Sequence, residues 1–326
     1  MKSRKLGNLE VSSVGYGCMG LSGGYGDTPT KEEAVKTIRA AYDMGCTLFN
    51  TAEFYVMDTV NEELVGEALK DIRSKTAIST KFLITEKPED KSIEQVLRSR
   101  LEASLKRLDT DHIDLYTQAR VNKDIPLEDL AHCMGKFIEV GKIRGWGLSQ
   151  ATAQQIKKSH AVTPLTAIES EYSMMERTFE KEVIPFCEEN NIGFLAFSPL
   201  ANGFLSGKID ANTEYEGVDA RKVITRFDKE NIIANQPLVS LLNKFAEEKE
   251  ATPAQISLAW ILHKKDFIVP IPGSRKLHRI EENLGAADVS LTDEEFNQLE
   301  TELSKIEIHG DRKDEDLEKL NVNVHE

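Results

Sequence analysis

The sequence predicts a (β/α)8 barrel, and three observations carry that prediction. Short β-branched and apolar runs alternate with longer helical stretches along nearly the whole chain, the period of a barrel of parallel strands. The glycines at 15, 17 and 20 do not open a helix, as the Gly-x-Gly-x-x-Gly turn of a doubly wound open sheet would, because the first helical stretch begins only at 31. Polar residues with reactive side chains, Asn50, Tyr55 and Lys81, fall at or just past strand ends. In a parallel barrel, that end is where chemistry is done.

Each element has its own signal. Residues 4–12 read as a hairpin about the turn pair Gly7-Asn8. In 14–20 the glycines, taken alone, signal no more than a turn. Helix 31–44 precedes strand 47–50. Helix 61–70 follows, with Asn61 as its expected N-cap and acids in its first turn. Strand 76–80 ends at Lys81. Helix 93–107 leads to strand 112–116, helix 126–140 to strand 142–148, and helix 152–160, capped by Thr152, to strand 166–170. Helix 176–190 leads to strand 192–197. A charged, glycine-containing insertion spans 198–235. Helices 237–249 and 253–263, strand 267–271 and helix 276–286 complete the barrel. The chain therefore reads as one domain, 1–326, in which 301–326 form a C-terminal helix and loose tail.

Composition removes several classes of function. A net charge of −14 disfavours nucleic acid or an acidic membrane as partner. Cys18, Cys46, Cys133 and Cys187 are widely spaced and read as free thiols in a reducing compartment. His112, His132, His160, His263 and His278 show no ligand spacing, so no metal site is expected. No apolar run has the length of a membrane span and no signal core follows the basic N-terminus, so a cytoplasmic protein is expected. Nothing in the sequence sets an oligomeric state.

Several segments, taken in order, resemble the aldo-keto reductases. They are Gly17-Cys18-Met19-Gly20-Leu21-Ser22, Leu48-Phe49-Asn50-Thr51-Ala52-Glu53-Phe54-Tyr55 and Asn61-Glu62-Glu63-Leu64-Val65-Gly66. Further on come Ser104 to Leu108 with Asp111 to Tyr116, Gly141-Lys142-Ile143-Arg144 with Gly147-Leu148-Ser149, Phe197-Ser198-Pro199-Leu200, and Pro272-Gly273-Ser274 through Glu282-Asn283. The resemblance covers nearly the whole chain and implies a single TIM-barrel domain with NADPH bound at its carboxyl mouth.

The resemblance also implies residue roles. Tyr55 would be the proton donor, Lys81 its charged neighbour, and Asn50 would stand where the family has an aspartate. Ser149 and Glu169 would meet the nicotinamide amide, with Glu169 in place of a usual glutamine. Phe197 would stack on the nicotinamide ring, and Ser198 and Leu200 would begin the loop over the pyrophosphate. Ser274, Arg275 and Arg279 would hold the 2′-phosphate, and Glu282 and Asn283 the adenine. Arginine suits bidentate phosphate contact, and a helix start near Ser274 favours an anion. From spacing alone, Arg275 and Arg279 read equally well as surface charges on a helix.

Other positions depart from the family pattern. Ala119 stands where the family has a histidine, and Val56 and Leu83 replace glycines. With an amide at Asn50 and added apolar surface, the Lys81 pKa is expected to fall, unless Glu169 lies close enough to restore a negative charge. The expected activity is NADPH-dependent reduction of a small aldehyde or ketone, weakened by these losses. Two alternatives remain open: amine chemistry at Lys81 in a repurposed pocket, and a non-catalytic NADPH-binding protein.

Overall fold

The computed structural model describes residues 1–56, 60–85 and 90–313. The acidic stretch beyond residue 313 lies outside them. β1 (Ser3–Leu6) and β2 (Leu9–Ser12) pair antiparallel across Gly7, whose φ of +57° suits glycine. Eight strands follow: β3 (Tyr16–Gly17), β4 (Leu48–Asn50), β5 (Ala77–Phe82), β6 (Leu115–Gln118), β7 (Trp146–Ser149), β8 (Ala167–Glu171), β9 (Gly193–Phe197) and β10 (Ile268–Pro270). They form one parallel sheet in chain order. Gly15 N–H donates to the Pro270 carbonyl at 2.9 Å and Gly17 N–H to the Pro272 carbonyl at 3.1 Å. Those bonds join the first strand to the last, so the sheet curls into a (β/α)8 barrel. A Cβ on Gly17 would stand 2.8 Å from the Ile271 carbonyl oxygen, so the seam admits no side chain there.

Strand alternation decides what faces the axis. Leu48, Ala77, Leu115, Ala167, Leu195 and Val269 pack together inside the barrel, and the hairpin residues Leu6, Leu9 and Val11 close its amino end. Two residues further along the same strands come Asn50, Ser79, Thr117, Glu169 and Phe197, with Lys81 two beyond Ser79. Phe49, Ile78, Tyr116, Trp146, Ile168 and Phe194 point outward into the larger core beneath the helices. One apolar plug therefore supports a polar layer at the carboxyl end.

The helices start where side-chain caps are available. Thr30, Ser92, Thr152, Thr252 and Thr292 each form a reciprocal capping box with a Glu or Gln three residues on. Several boundaries differ from the sequence expectation. β6 and β7 begin later than 112 and 142, because Asp114 is buried and accepts from Ile78 N–H, Arg73 and Arg144 instead of extending the strand. The helix expected over 176–190 is a 3-10 turn, Thr178–Glu180, and a short helix, Val183–Glu189. Glu176 is held in a turn with Ser173 and accepts from Thr178 N–H, so the helix cannot start there. The insertion 198–235 contains 3-10 turns and the helix Lys229–Ala234. A further helix, Asp293–Leu303, buries Leu299 and Leu303.

Asn61 is not an N-cap. Val60 holds that position without a side-chain bond, and Asn61 is the first residue of the helix Asn61–Leu69. Its buried amide instead ties three segments together. It donates to the Cys18 carbonyl (2.9 Å) and Ser22 Oγ (2.8 Å) and accepts from Thr51 Oγ1 (2.6 Å). All four cysteines are buried free thiols.

Candidate active site at the carboxyl mouth

Lys81 is 4% exposed, on the inward face of β5 near its end. Its Nζ donates to Asn50 Oδ1 at 2.7 Å and lies 3.0 Å from Glu169 Oε1. Asn50 Nδ2 donates to Glu169 Oε2 at 2.9 Å and to Ser79 Oγ at 3.2 Å. Asn50 and Glu169 are each 3% exposed. Burial disfavours the Lys81 ammonium, but Glu169 and the neighbouring Tyr55 hydroxyl more than offset it, and its pKa stands above the ordinary lysine value. The expected fall is thus reversed, because Glu169 on β8 lies close enough to supply a negative charge. Val56 is exposed and adds no apolar cover to the ammonium, while Leu83 is buried.

Tyr55 is half-buried on the loop after β4, with the Lys81 ammonium 5.1 Å from its ring centroid. Its carbonyl accepts from Ser22 Oγ (3.1 Å) and Asn61 N–H (3.1 Å), so the buried Asn61 network fixes this loop. Ala119, just past β6, is buried and presents only a methyl group. Ser149 ends β7 directly beside Glu169 in the strand register, and Arg120 Nη1 lies 3.5 Å from its hydroxyl.

The other predicted residues line one side of the mouth. Phe197 ends β9 and is partly buried. Ser198, Ala201 and Asn202 have φ of +46°, +48° and +56°, which bends the chain sharply after Phe197 through Leu200. Asn202 Nδ2 donates to the Tyr25 hydroxyl (2.8 Å), and Arg275 Nη2 donates to the Tyr25 carbonyl (2.9 Å). The Ser274 carbonyl accepts from the Tyr16 hydroxyl at 2.6 Å. The helix Leu277–Gly285 begins after Lys276 with no side-chain cap. Arg279 is exposed in its first turn, Glu282 is half-buried and Asn283 is buried. A cavity of about 1100 Å³ opens at the opposite, amino end of the barrel, and none of these residues lines it. Among the described residues, no cluster of three His, Cys, Asp or Glu could hold a metal, and no helix is long and apolar enough to cross a membrane.

A further group was not anticipated. Arg226 and Glu171 form an almost fully buried ion pair at 3.2 Å. Arg312 Nη1 lies 3.5 Å from Glu171, and its guanidinium sits 5.3 Å from the Phe197 ring centroid. Thr225 and Asn235 bond Asp311 and His309, fastening the segment before residue 314 across this side of the mouth. The sequence signal was present: Glu171 shares the inward parity of Glu169.

A polar layer of this kind above an apolar plug places the ionisable groups of this barrel together at its carboxyl end. A family model described as "Aldo/keto reductase family" matches residues 13–303, and the chain belongs to that family of oxidoreductases. A probable aldo-keto reductase 1 from Glycine max is 39% identical over 303 residues, 90% of this chain and 87% of that protein. Among solved structures, a glycerol dehydrogenase from Gluconobacter oxydans has a TM-score of 0.83 at 28% identity, covering 93% of this chain and 95% of that one. An aldo/keto reductase from Klebsiella pneumoniae, in complex with NADP and acetate, has a TM-score of 0.72 at 25% identity, covering 92% of this chain and 94% of that one.

Proposed function

We propose that this chain reduces a small aldehyde or ketone to the alcohol with NADPH, Tyr55 donating the proton to the carbonyl oxygen. The observation that carries the reading is a buried, charged Lys81 beside Tyr55 at the barrel mouth. A cation there favours the phenolate that Tyr55 becomes as it gives up its proton. The residues around the mouth fit the cofactor. The uncapped start of the helix Leu277–Gly285 and the exposed Arg279 suit the 2′-phosphate, with Ser274 and Arg275 beside them. Phe197 would pack on the nicotinamide, Ser149 would bond its amide, Ser198 and Leu200 would flank the pyrophosphate, and Glu282 and Asn283 the adenine. When bound, NADPH supplies the hydride.

Position 119 offers the carbonyl no hydrogen bond, so Tyr55 alone polarises it, and turnover is slow. The ion pair of Lys81 with Glu169 counts against a free-amine nucleophile at Lys81. The retained Tyr55–Lys81 neighbourhood counts against a purely binding role. The test is NADPH oxidation at 340 nm across a panel of small aldehydes and ketones, with cofactor binding followed separately by fluorescence. Tight NADPH binding with no turnover of any carbonyl would leave the binding-protein reading in its place.

A further inference from the structure

We infer that Glu169 is the positioning residue that keeps Lys81 an ammonium beside Tyr55, and that Asn50 is matched to it as a neutral bridge. The catalytic part of this inference rests on the proposed reduction; the electrostatic part does not.

A buried ammonium is unfavourable unless a carboxylate meets it in good geometry. Among the described residues, Glu169 is the only carboxylate within ion-pair distance of Lys81. The Asn50 amide then reads both charges at once. Its carbonyl oxygen faces the cation at 2.7 Å, and its NH2 faces the anion at 2.9 Å. A carboxylate at position 50 would satisfy Lys81 equally well but would face Glu169 with like charge. A glutamine at 169 would leave Lys81 with no counter-charge. The residues at 50 and 169 are therefore interdependent: amide with carboxylate works, and so does the exchanged pair.

The remaining surroundings of Lys81 do not compete. Tyr55 approaches from the β4 loop and favours the ammonium. The buried Cys18 thiol, at the end of β3, is pushed far above the ordinary thiol range and stays neutral. Ser79 from β5 is uncharged. With Glu169 removed, the largest influence opposing burial is lost and Tyr55 remains, so Lys81 shifts toward the neutral amine, which polarises Tyr55 less and reacts as a nucleophile more readily.

Two readouts on Glu169→Gln, Asn50→Asp and the double variant Asn50→Asp/Glu169→Gln test this. The first is methylation of Lys81 by formaldehyde and cyanoborohydride at pH 8, read by peptide mass spectrometry in protein free of cofactor and substrate. The second is kcat at saturating NADPH across pH. Glu169→Gln is expected to label at Lys81 about tenfold faster than the parent, since loss of the counter-charge disfavours the ammonium and leaves more free amine at that pH. Its kcat is expected to fall about 10²-fold. The double variant is expected to return both toward the parent. Unchanged Lys81 labelling in Glu169→Gln overturns the inference. So does a folded double variant in which Lys81 labels about tenfold faster than in the parent. That second arm keeps the test decisive if Glu169→Gln does not fold. Labelling needs no turnover, so an inactive parent would end the reductase reading while Lys81 protection still decides the role of Glu169.

Discussion

Asn50 and Glu169 meet at 2.9 Å although 119 positions separate them in the chain. β4 and β8 stand four strands apart in a ring of eight, so the two side chains reach each other across the barrel axis. A family pattern read along the chain recommends Asn50→Asp as a restoration. The geometry reverses that advice. Two carboxylates at this separation repel each other, and the single ammonium of Lys81 can balance only one of them. Asn50→Asp alone is expected to destabilise the protein by roughly 1–3 kcal/mol in chemical denaturation and to lower kcat. A more active and equally stable Asn50→Asp protein would refute this.

Tyr55→Phe removes the proposed acid and little else. Carbonyl reduction is expected to drop by about 10²–10⁴-fold, with NADPH affinity within a factor of about two of the parent. Stopped-flow reduction and fluorescence titration separate the two. Retention of most of the activity would mean that another group protonates the carbonyl.

NADPH is expected to bind more tightly than NADH. Arg275 already donates to the Tyr25 carbonyl, whereas Arg279 makes no ion pair among the described residues and is the freer of the two. A hydrogen bond to a charged group contributes about 1.5–3 kcal/mol, so Arg279→Ala should reduce the preference for NADPH by about 10- to 100-fold. A preference unchanged in that variant would remove Arg279 from the phosphate site.

Asn61→Leu is expected to cost about 3 kcal/mol in denaturant unfolding, because Thr51, Ser22 and the Cys18 carbonyl lose buried partners together. The same variant loosens the Tyr55 loop, so its turnover falls as well. A cost below about 0.5 kcal/mol, the usual surface value, would show that the network is dispensable.

Acid should weaken the attachment of the helix Asp293–Leu303. Glu300 accepts from Lys264 Nζ (2.9 Å), Trp260 Nε1 (2.6 Å) and Arg177 (2.8 Å). Burial alone would raise its pKa; the bonds from Lys264 and Trp260 more than offset that and hold it below the ordinary glutamate value. Glu180, bonded by Arg177 and Tyr172, is lowered in the same way. A depressed carboxylate pKa adds stability above the unfolded-state value, and that stability is lost as pH falls through the folded-state value. Melting temperature is therefore expected to fall below about pH 4.5 more steeply in the parent than in Glu300→Gln. Parallel pH curves for the two proteins would count against the cluster.

Much of the fold was legible because its signals are local. Period-two alternation within 47–50, 76–81 and 166–170 assigns one face to the axis, and Thr152 with Gln155 marks a helix start in four residues. The placement of Asn50, Lys81 and Glu169 in one polar layer follows from the same alternation. Which of them touch does not, since that depends on the ring closing and on the diameter it closes to. Asn61 misled for a related reason. It stands at a helix start, as an N-cap should, but its amide answers groups from Cys18, Ser22 and Thr51 that only the tertiary fold brings near. The pairing of Arg226 with Glu171 and the course of 304–313 over Phe197 were equally non-local.

The seam between Gly15 and Pro270 sets a condition on biosynthesis. The first barrel strand leaves the ribosome early, while its second neighbour is translated only after nearly all the rest of the barrel. Until then, the nascent chain holds an open sheet with an unpaired edge at each end, the state most exposed to misassociation. Glycines at that seam let the backbones meet without side-chain interlocking. Closure is thus a late event, and slowing synthesis upstream of residue 268 would lengthen the time those edges stay unpaired.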